Sequence, residues 1–293
     1  MSVNVTVVPS YENYGKCLKL ENDVAELYVT IDVGPRIIKY NLKGCENMMF
    51  NDLERNHTEK GEDFDRCFYP GAAWYIYGGH RLWASPELYP SSYYPENDPV
   101  EYEIDGNTVR LTPPPQKYTN LQFRTEITMD CCSSKVTVHH SIENLFCKPV
   151  TVAPWALSVM APGGVETIPM PKRSTGYLAN RVLSLWDYTD MADPRVTWGK
   201  DFITLRQDST IEQPFKIGLN VEHGWAKYEN RGQIFTKHFS YDPELTYPDY
   251  GVCFETYTCA RFTEIETVGE LKELKPGERV EHEETWELER AQH

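Results

Sequence analysis

An all-β sandwich or barrel is predicted by three features of this sequence. Apolar and polar residues alternate with a period of two along most of its length, the breaks between such runs are short and polar, and 20 prolines interrupt any long helix. Residues 121–130 place Leu121, Phe123, Thr125, Ile127 and Met129 on one face and Gln122, Arg124, Glu126 and Thr128 on the other. Residues 135–144 repeat the pattern with Val136, Val138, His140 and Ile142, and the CCSS break between the two runs predicts an antiparallel hairpin. Similar runs occupy residues 26–31, 100–104, 107–112, 202–205, 233–239, 252–258 and 261–268. In the last run, 280–288, His282, Glu284, Trp286 and Leu288 share a face opposite Glu281, Glu283, Thr285 and Glu287, which read as solvated. Short helices are expected only around 52–56 and 183–189. No Gly/Ser linker, low-complexity tract or repeat divides the chain, so residues 1–293 read as one large β domain. Segments 54–99 and 169–194 read as long irregular loops, and ordered loops on a β scaffold are where sites sit.

Composition narrows the function classes. The net charge is −15 and no basic run occurs, which argues against nucleic acid and anionic membranes as partners. No apolar run approaches the ~20 residues of a membrane span. The opening MSVNVTVVPSYENYG lacks the basic and apolar parts of a secretory signal, so a cytoplasmic location is expected. Eight scattered cysteines form no C-x-x-C pair and read as reduced thiols. P-loop, G-x-G-x-x-G, G-x-S-x-G and H-E-x-x-H motifs are absent; His282-Glu283 begins the last of these, but Trp286 stands where its second histidine belongs. His139 and His140 are strand neighbours that point to opposite faces. Neither a metal nor a cofactor is expected.

Three segments carry candidate chemistry. In YGGHRLWASPELYP (77–90), two glycines permit unusual backbone angles, His80 exchanges protons near neutrality, and Arg81 clamps carboxylates or hydroxyls. Trp83 and the nearby Trp74 offer faces for a sugar ring, and Glu87 follows; the competing reading is a packed aromatic loop. In VCFETYT (252–258), Glu255 shares a face with Cys253 and Tyr257, where desolvation would raise its pKa toward that of a general base. Most glutamates are solvent-exposed, which weighs the other way. In APWALSVMAPGG (153–164), Trp155 reads as a pocket wall or as part of a core strand.

Taken in order, these segments, together with DVGPRIIKYNLKGCENMMFND (32–52) and the C-terminal run to Leu288, resemble the galactose mutarotase-like superfamily, in its branch with a GGHRLW…PE signature. The resemblance implies a β-supersandwich with a sugar cleft, and a cofactor-free 1-epimerase chemistry in which a glutamate takes the anomeric proton and a histidine protonates the ring oxygen. Carried over, Glu255 matches the base, His80 the glycine-flanked histidine beside the substrate, and Arg36, more weakly, a substrate-orienting arginine. Arg81, Trp83, Trp74, Trp155 and Glu87 are expected to line the sugar site. The family's principal acid histidine belongs on a strand that here reads TVAPWALSVM, with Trp155 or its neighbours in its place. His80 then serves as the acid, His223 or His238 moves in, or epimerisation is absent. The alternatives are a sugar-binding protein without turnover, and a lyase or hydrolase on a longer glycan using two of Glu87, Glu255 and Glu264. The sequence leaves the sugar and the oligomeric state open.

Overall fold

The computed structural model describes residues 2–292. Two large antiparallel sheets face each other across a shared apolar core, as the alternation requires. The first sheet runs, in spatial order, Asn4–Val8, Cys17–Glu21, Ala25–Thr30, Ile37–Leu42, Gly79–Ser85, Val150–Met160, Thr263–Val268, Phe254–Thr258, Phe215–Leu219 and Leu183–Leu185. Lys272–Leu274 adds to the start of Val150–Met160. The second sheet runs Val196–Trp198, Phe202–Arg206, Val165–Pro169, Trp225–Asn230, Gln233–Phe239, Arg279–Arg290, Val136–Asn144, Leu121–Met129, Thr108–Thr112 and Glu101–Asp105. These are the large antiparallel sheets, packed face to face, that the sequence leads one to expect.

The predicted hairpin forms with Leu121 opposite Asn144 and Met129 opposite Val136. Helix is confined, among the described residues, to Glu62–Cys67 and a distorted turn at Pro248–Gly251. Neither expected helix exists: 52–56 is turn, and 183–189 opens with the short edge strand Leu183–Leu185. Segment 54–99 is likewise not a bare loop. It contains the hairpin Thr58–Lys60/Ala73–Tyr75, the first helix, and the central strand Gly79–Ser85.

GGHRLW is therefore a strand, and it lacks an alternating pattern because both of its faces are buried. Gly78 and Gly79 lead into it with φ of 104° and 65°. A Cβ at Gly78 would lie 2.1 Å from the Phe50 carbonyl oxygen, and one at Gly79 equally close to that of Ile37. Both positions thus need glycine twice over, for the backbone angle and for the space.

Between the sheets lies a band of buried polar groups. The Lys237 ammonium donates to Glu284 at 2.9 Å and to the carbonyls of Ile265 and Ala156 at 3.0 and 3.3 Å. Glu284 also accepts from Thr267 Oγ1 and, at 2.9 Å, from Trp286 Nε1. His80 Nδ1 meets Ser158 Oγ at 2.9 Å, its Nε2 meets His140 Nε2 at 2.9 Å, and His140 Nδ1 meets Thr125 Oγ1 at 3.1 Å. Burial and the nearby Lys237 charge hold both imidazoles well below their ordinary pKa, so they are neutral and share one N–H between the facing Nε2 atoms. Further along the band, Glu166 accepts from Thr256 Oγ1 at 2.5 Å, and burial pushes its carboxyl up to about 8.

Glu166 supplies a stability test with a defined sign. Its folded pKa of about 8 lies above its ordinary 4.5, so its favourable contribution is complete below 4.5 and is lost as pH rises toward 8. Urea unfolding of wild type and Glu166→Gln at pH 5 and 7.5 should show the gap moving in favour of the glutamine variant by about 1.4 kcal/mol per pH unit. The histidines titrate alike in both proteins, so the difference isolates Glu166. A pH-independent gap refutes the buried neutral carboxyl.

Candidate active site

The site lies on the outer face of the first sheet, and strand register builds it. Arg81, Leu157, Glu266, Glu255 and Gly218 are consecutive cross-strand partners, so they form one transverse row over five strands. Trp83, Trp155 and Val268 form the next row on one side; Val159, Glu264, Tyr257 and Lys216 form it on the other. Gly218 has no side chain opposite Glu255, and Lys216 extends diagonally into that place. His57, Trp74, Glu87, Tyr93 and Tyr188 come from connecting segments and close a cleft of about 120 Å³ over these rows.

The cleft is walled by aromatic rings. Trp83 packs edge-to-face on Trp155 and Tyr93, with ring centres 5.5 and 4.9 Å apart, and Trp74 meets Trp83 at 5.4 Å. The Arg81 guanidinium lies 4.4 Å from the centre of the Trp83 ring and bonds Glu264 at 3.2 Å. Tyr93 Oη donates to Glu87 at 2.6 Å. Three buried donors, Trp74 Nε1, Trp83 Nε1 and Arg81 Nε, have no protein partner, nor has the buried acceptor Glu266 Oε1. Trp74, Trp83 and Arg81 line the cleft, and unpaired donors there suit a polyhydroxylated ligand, whose hydroxyls accept as well as give.

At the floor, the Lys216 ammonium bonds Glu255 at 2.7 Å and Glu266 at 3.2 Å, and Trp155 Nε1 donates to Glu266 at 2.8 Å. Lys216 is sandwiched between the rings of Trp155 and Trp186, 4.4 and 4.6 Å from their centres. The two carboxylates hold Lys216 firmly charged, well above its ordinary pKa, against the opposing effect of burial. Burial raises both carboxyl groups despite the lysine, helped by Glu266 at Glu255, which reaches about 8, and by Glu264 at Glu266. One ammonium between two buried carboxyls is neutral when a single carboxyl proton remains, and the triad titrates as a unit.

Of the sequence candidates, Arg81, Trp83, Trp74, Trp155 and Glu87 line this cleft together. His80 does not. Strand alternation turns it to the opposite face, into the contact with His140, so His80 and Glu255 do not converge on one ligand. Arg36 is buried in a 2.7 Å pair with Glu96, away from the cleft lining. Glu255 is buried rather than solvated, and Lys216 stands between it and the cavity. His223 and His238 are not cleft residues; the histidine in its wall is His57, packed edge-on against Trp74 and Phe262. The sequence reading missed His57, Lys216 and Glu266. For Glu266 a signal existed: a turn at 259–262 pairs Glu255 with Glu266 across the hairpin.

Two other locations gather polar side chains. A cavity of about 600 Å³ lies on the outer face of the second sheet; two of its arginines pair, Arg110 with Glu126 and Arg124 with Glu143 at 2.7 Å each, and among the described residues its lining holds no buried polar side-chain atom without a partner. Between the sheets, His80, His140 and Glu284 each bring a ligand atom within 4.8 Å of the others. A divalent cation there would sit beside Lys237 with Glu284 as its one carboxylate, leaving buried positive charge uncompensated. That donor set fits neutral hydrogen-bonded imidazoles and not a metal.

The sequence matches no protein-family model and no curated protein. Solved structures do match. A galactose mutarotase-like protein from Lactobacillus casei has a TM-score of 0.61 at 11% identity, covering 93% of this chain and 100% of that one. One from Clostridium acetobutylicum gives 0.57 at 12% identity, with 99% of each chain covered. A TPR-domain containing protein from Parabacteroides distasonis gives 0.61 at 14% identity over 93% of this chain, which spans 47% of that protein's length. At these identities the likeness defines the fold, and the fold of this chain is galactose mutarotase-like.

Trp155→Phe tests the floor. It keeps an aromatic face for Lys216 and deletes the Nε1 bond to buried Glu266. Chemical denaturation at pH 7 should show a loss of about 2 kcal/mol at unchanged m-value, the usual worth of a hydrogen bond to a charged group. An unchanged midpoint refutes the bond.

Proposed function

We propose that the protein binds one neutral aldose in the cleft over Trp83 and Trp155 and interconverts its anomers, in the manner of an aldose 1-epimerase. The observation that carries this reading is the convergence of unpaired donors on an aromatic-walled cleft directly above a buried carboxylate pair. Aromatic walls suit the apolar faces of a pyranose, and the Trp and Arg N–H groups suit its hydroxyls. The volume, about 120 Å³, is of the order of the ~150 Å³ cavity that accepts one benzene, so a single six-membered ring is the matching ligand. Against Arg81 and Lys216 stand Glu87 and Glu264 in the wall and Glu255 and Glu266 below, a balance that disfavours a phosphorylated or carboxylated sugar.

In this reading Glu255 is the base. Its carboxylate takes the proton from the anomeric O1–H, the C1–O5 bond opens, C1 turns, and reclosure gives the other anomer. A pKa of about 8 makes the proton affinity high, and it requires the rate to fall as pH drops below that value. Lys216 shielding Glu255 in the free protein favours a second reading, a sugar-binding protein without turnover.

Exchange NMR on a panel of free aldoses, with calorimetry on the same sugars, separates the two. Catalysed exchange is expected for at least one aldose, with binding at least tenfold weaker for its phosphate. Glu255→Gln should lower the exchange by about 10²–10⁴-fold while retaining binding. Saturable binding without exchange would establish the second reading, and no binding of any sugar would sink both.

A further inference from the structure

Resting on that reading, the second proton carrier of the reaction has to be found, because His80 faces the other side of its strand. We infer that Lys216 is the general acid, with Glu255 as its base partner and Glu266 as the group that positions it. Both reacting oxygens of a hemiacetal sit on one carbon, so acid and base must lie within a few ångströms of each other. Lys216 Nζ and Glu255 Oε2, 2.7 Å apart, meet that demand, and Lys216 is the member of the floor triad that reaches the cavity.

The competing groups fit less well. Arg81 does not release a proton at any working pH. Glu264 is engaged by Arg81 at 3.2 Å. His57 stands in the wall against Trp74 and Phe262, with no contact to Glu255.

The step balances without any cofactor. A hemiacetal entering the floor separates the Lys216–Glu255 pair and inserts O1–H against Glu255 and O5 against Lys216. Glu255 takes the O1 proton, the O1 electron pair forms the carbonyl, the C1–O5 bond breaks, and a Lys216 proton goes to O5. Neutralising Glu255 removes the nearest countercharge of Lys216, so the first transfer makes the second easier. Ring closure on the other face of C1 returns both protons. Glu266, fixed by Trp155 Nε1, keeps Lys216 in place once the direct pair has opened.

Two substitutions test this on the intact protein by exchange NMR, thermal denaturation and sugar calorimetry. Lys216→Met removes the acid and should lower anomer exchange by about 10²–10⁴-fold. Because it also leaves two buried carboxyls without a cation, Lys216→Arg is the decisive variant. It keeps the charge but cannot give up a proton. The expected result is wild-type folding, retained sugar binding and the same loss of exchange. Near-wild-type exchange in Lys216→Arg overturns the assignment, and a loss confined to His57→Asn transfers the role to His57. Wild-type protein that binds sugar without exchange overturns the epimerase reading itself, a result visible before any variant is made.

Discussion

Lys237 is an ammonium with no exposure to solvent, set between two sheets, and such a charge is tolerable only when every proton finds an acceptor. Its acceptors come from both sides: Glu284 on a central strand of the second sheet, Arg279–Arg290, and the carbonyls of Ala156 and Ile265 on central strands of the first. A one-residue slip of either central strand would turn those carbonyls away and leave the charge unpaired. The pair therefore locks the register in which Trp155, Leu157, Glu264 and Glu266 face outward. The apolar core could accept many packings of Val, Ile and Leu, whereas the buried ion pair accepts few.

The same alternation divides the chemistry of the molecule in two. On the Gly79–Ser85 strand, His80 and Leu82 enter the space between the sheets, and Arg81 and Trp83 face the cleft. Inside, the histidines are neutral and spend their hydrogen bonds on Ser158, Thr125 and each other. Outside, Lys216, Glu255 and Glu266 keep charge in a desolvated place and leave polar atoms of their surroundings unpaired. An unpaired buried polar atom is a cost to stability that a ligand can remove, which separates this cleft from the larger cavity on the second sheet, whose described lining holds none. The fold alone does not make that distinction, since one architecture hosts many activities.

Much of the architecture was legible in the sequence wherever a strand has one wet face. Leu121–Met129 and Val136–Asn144 alternate cleanly because Arg124, Glu126 and His139 meet solvent, and their hairpin forms as the pattern requires. Legibility fails at Gly79–Ser85, which is covered on both faces and so carries no alternation. It fails again at Leu183–Leu185, an edge strand of three residues, too short for any period to register. Within the cleft, the tryptophans and Arg81 were legible because few residues of those types cluster without a purpose. Lys216 was not, because a lone lysine in FKIGL reads as a solvated interruption.

By itself the sequence determined the all-β class, the main hairpins and the aromatic character of the candidate cleft, because those follow from local periodicity and side-chain type. Only the tertiary structure decided which face each residue of a doubly buried strand adopts, and which distant strands become neighbours. That decision placed Phe215–Leu219 beside Phe254–Thr258 and brought Lys216 to Glu255. It also sent His80 to His140, 60 residues away and on the other sheet. The reason is physical: alternation along a strand is local, but the partner that neutralises a buried charge comes from sheet register, which contacts between distant parts of the chain set together.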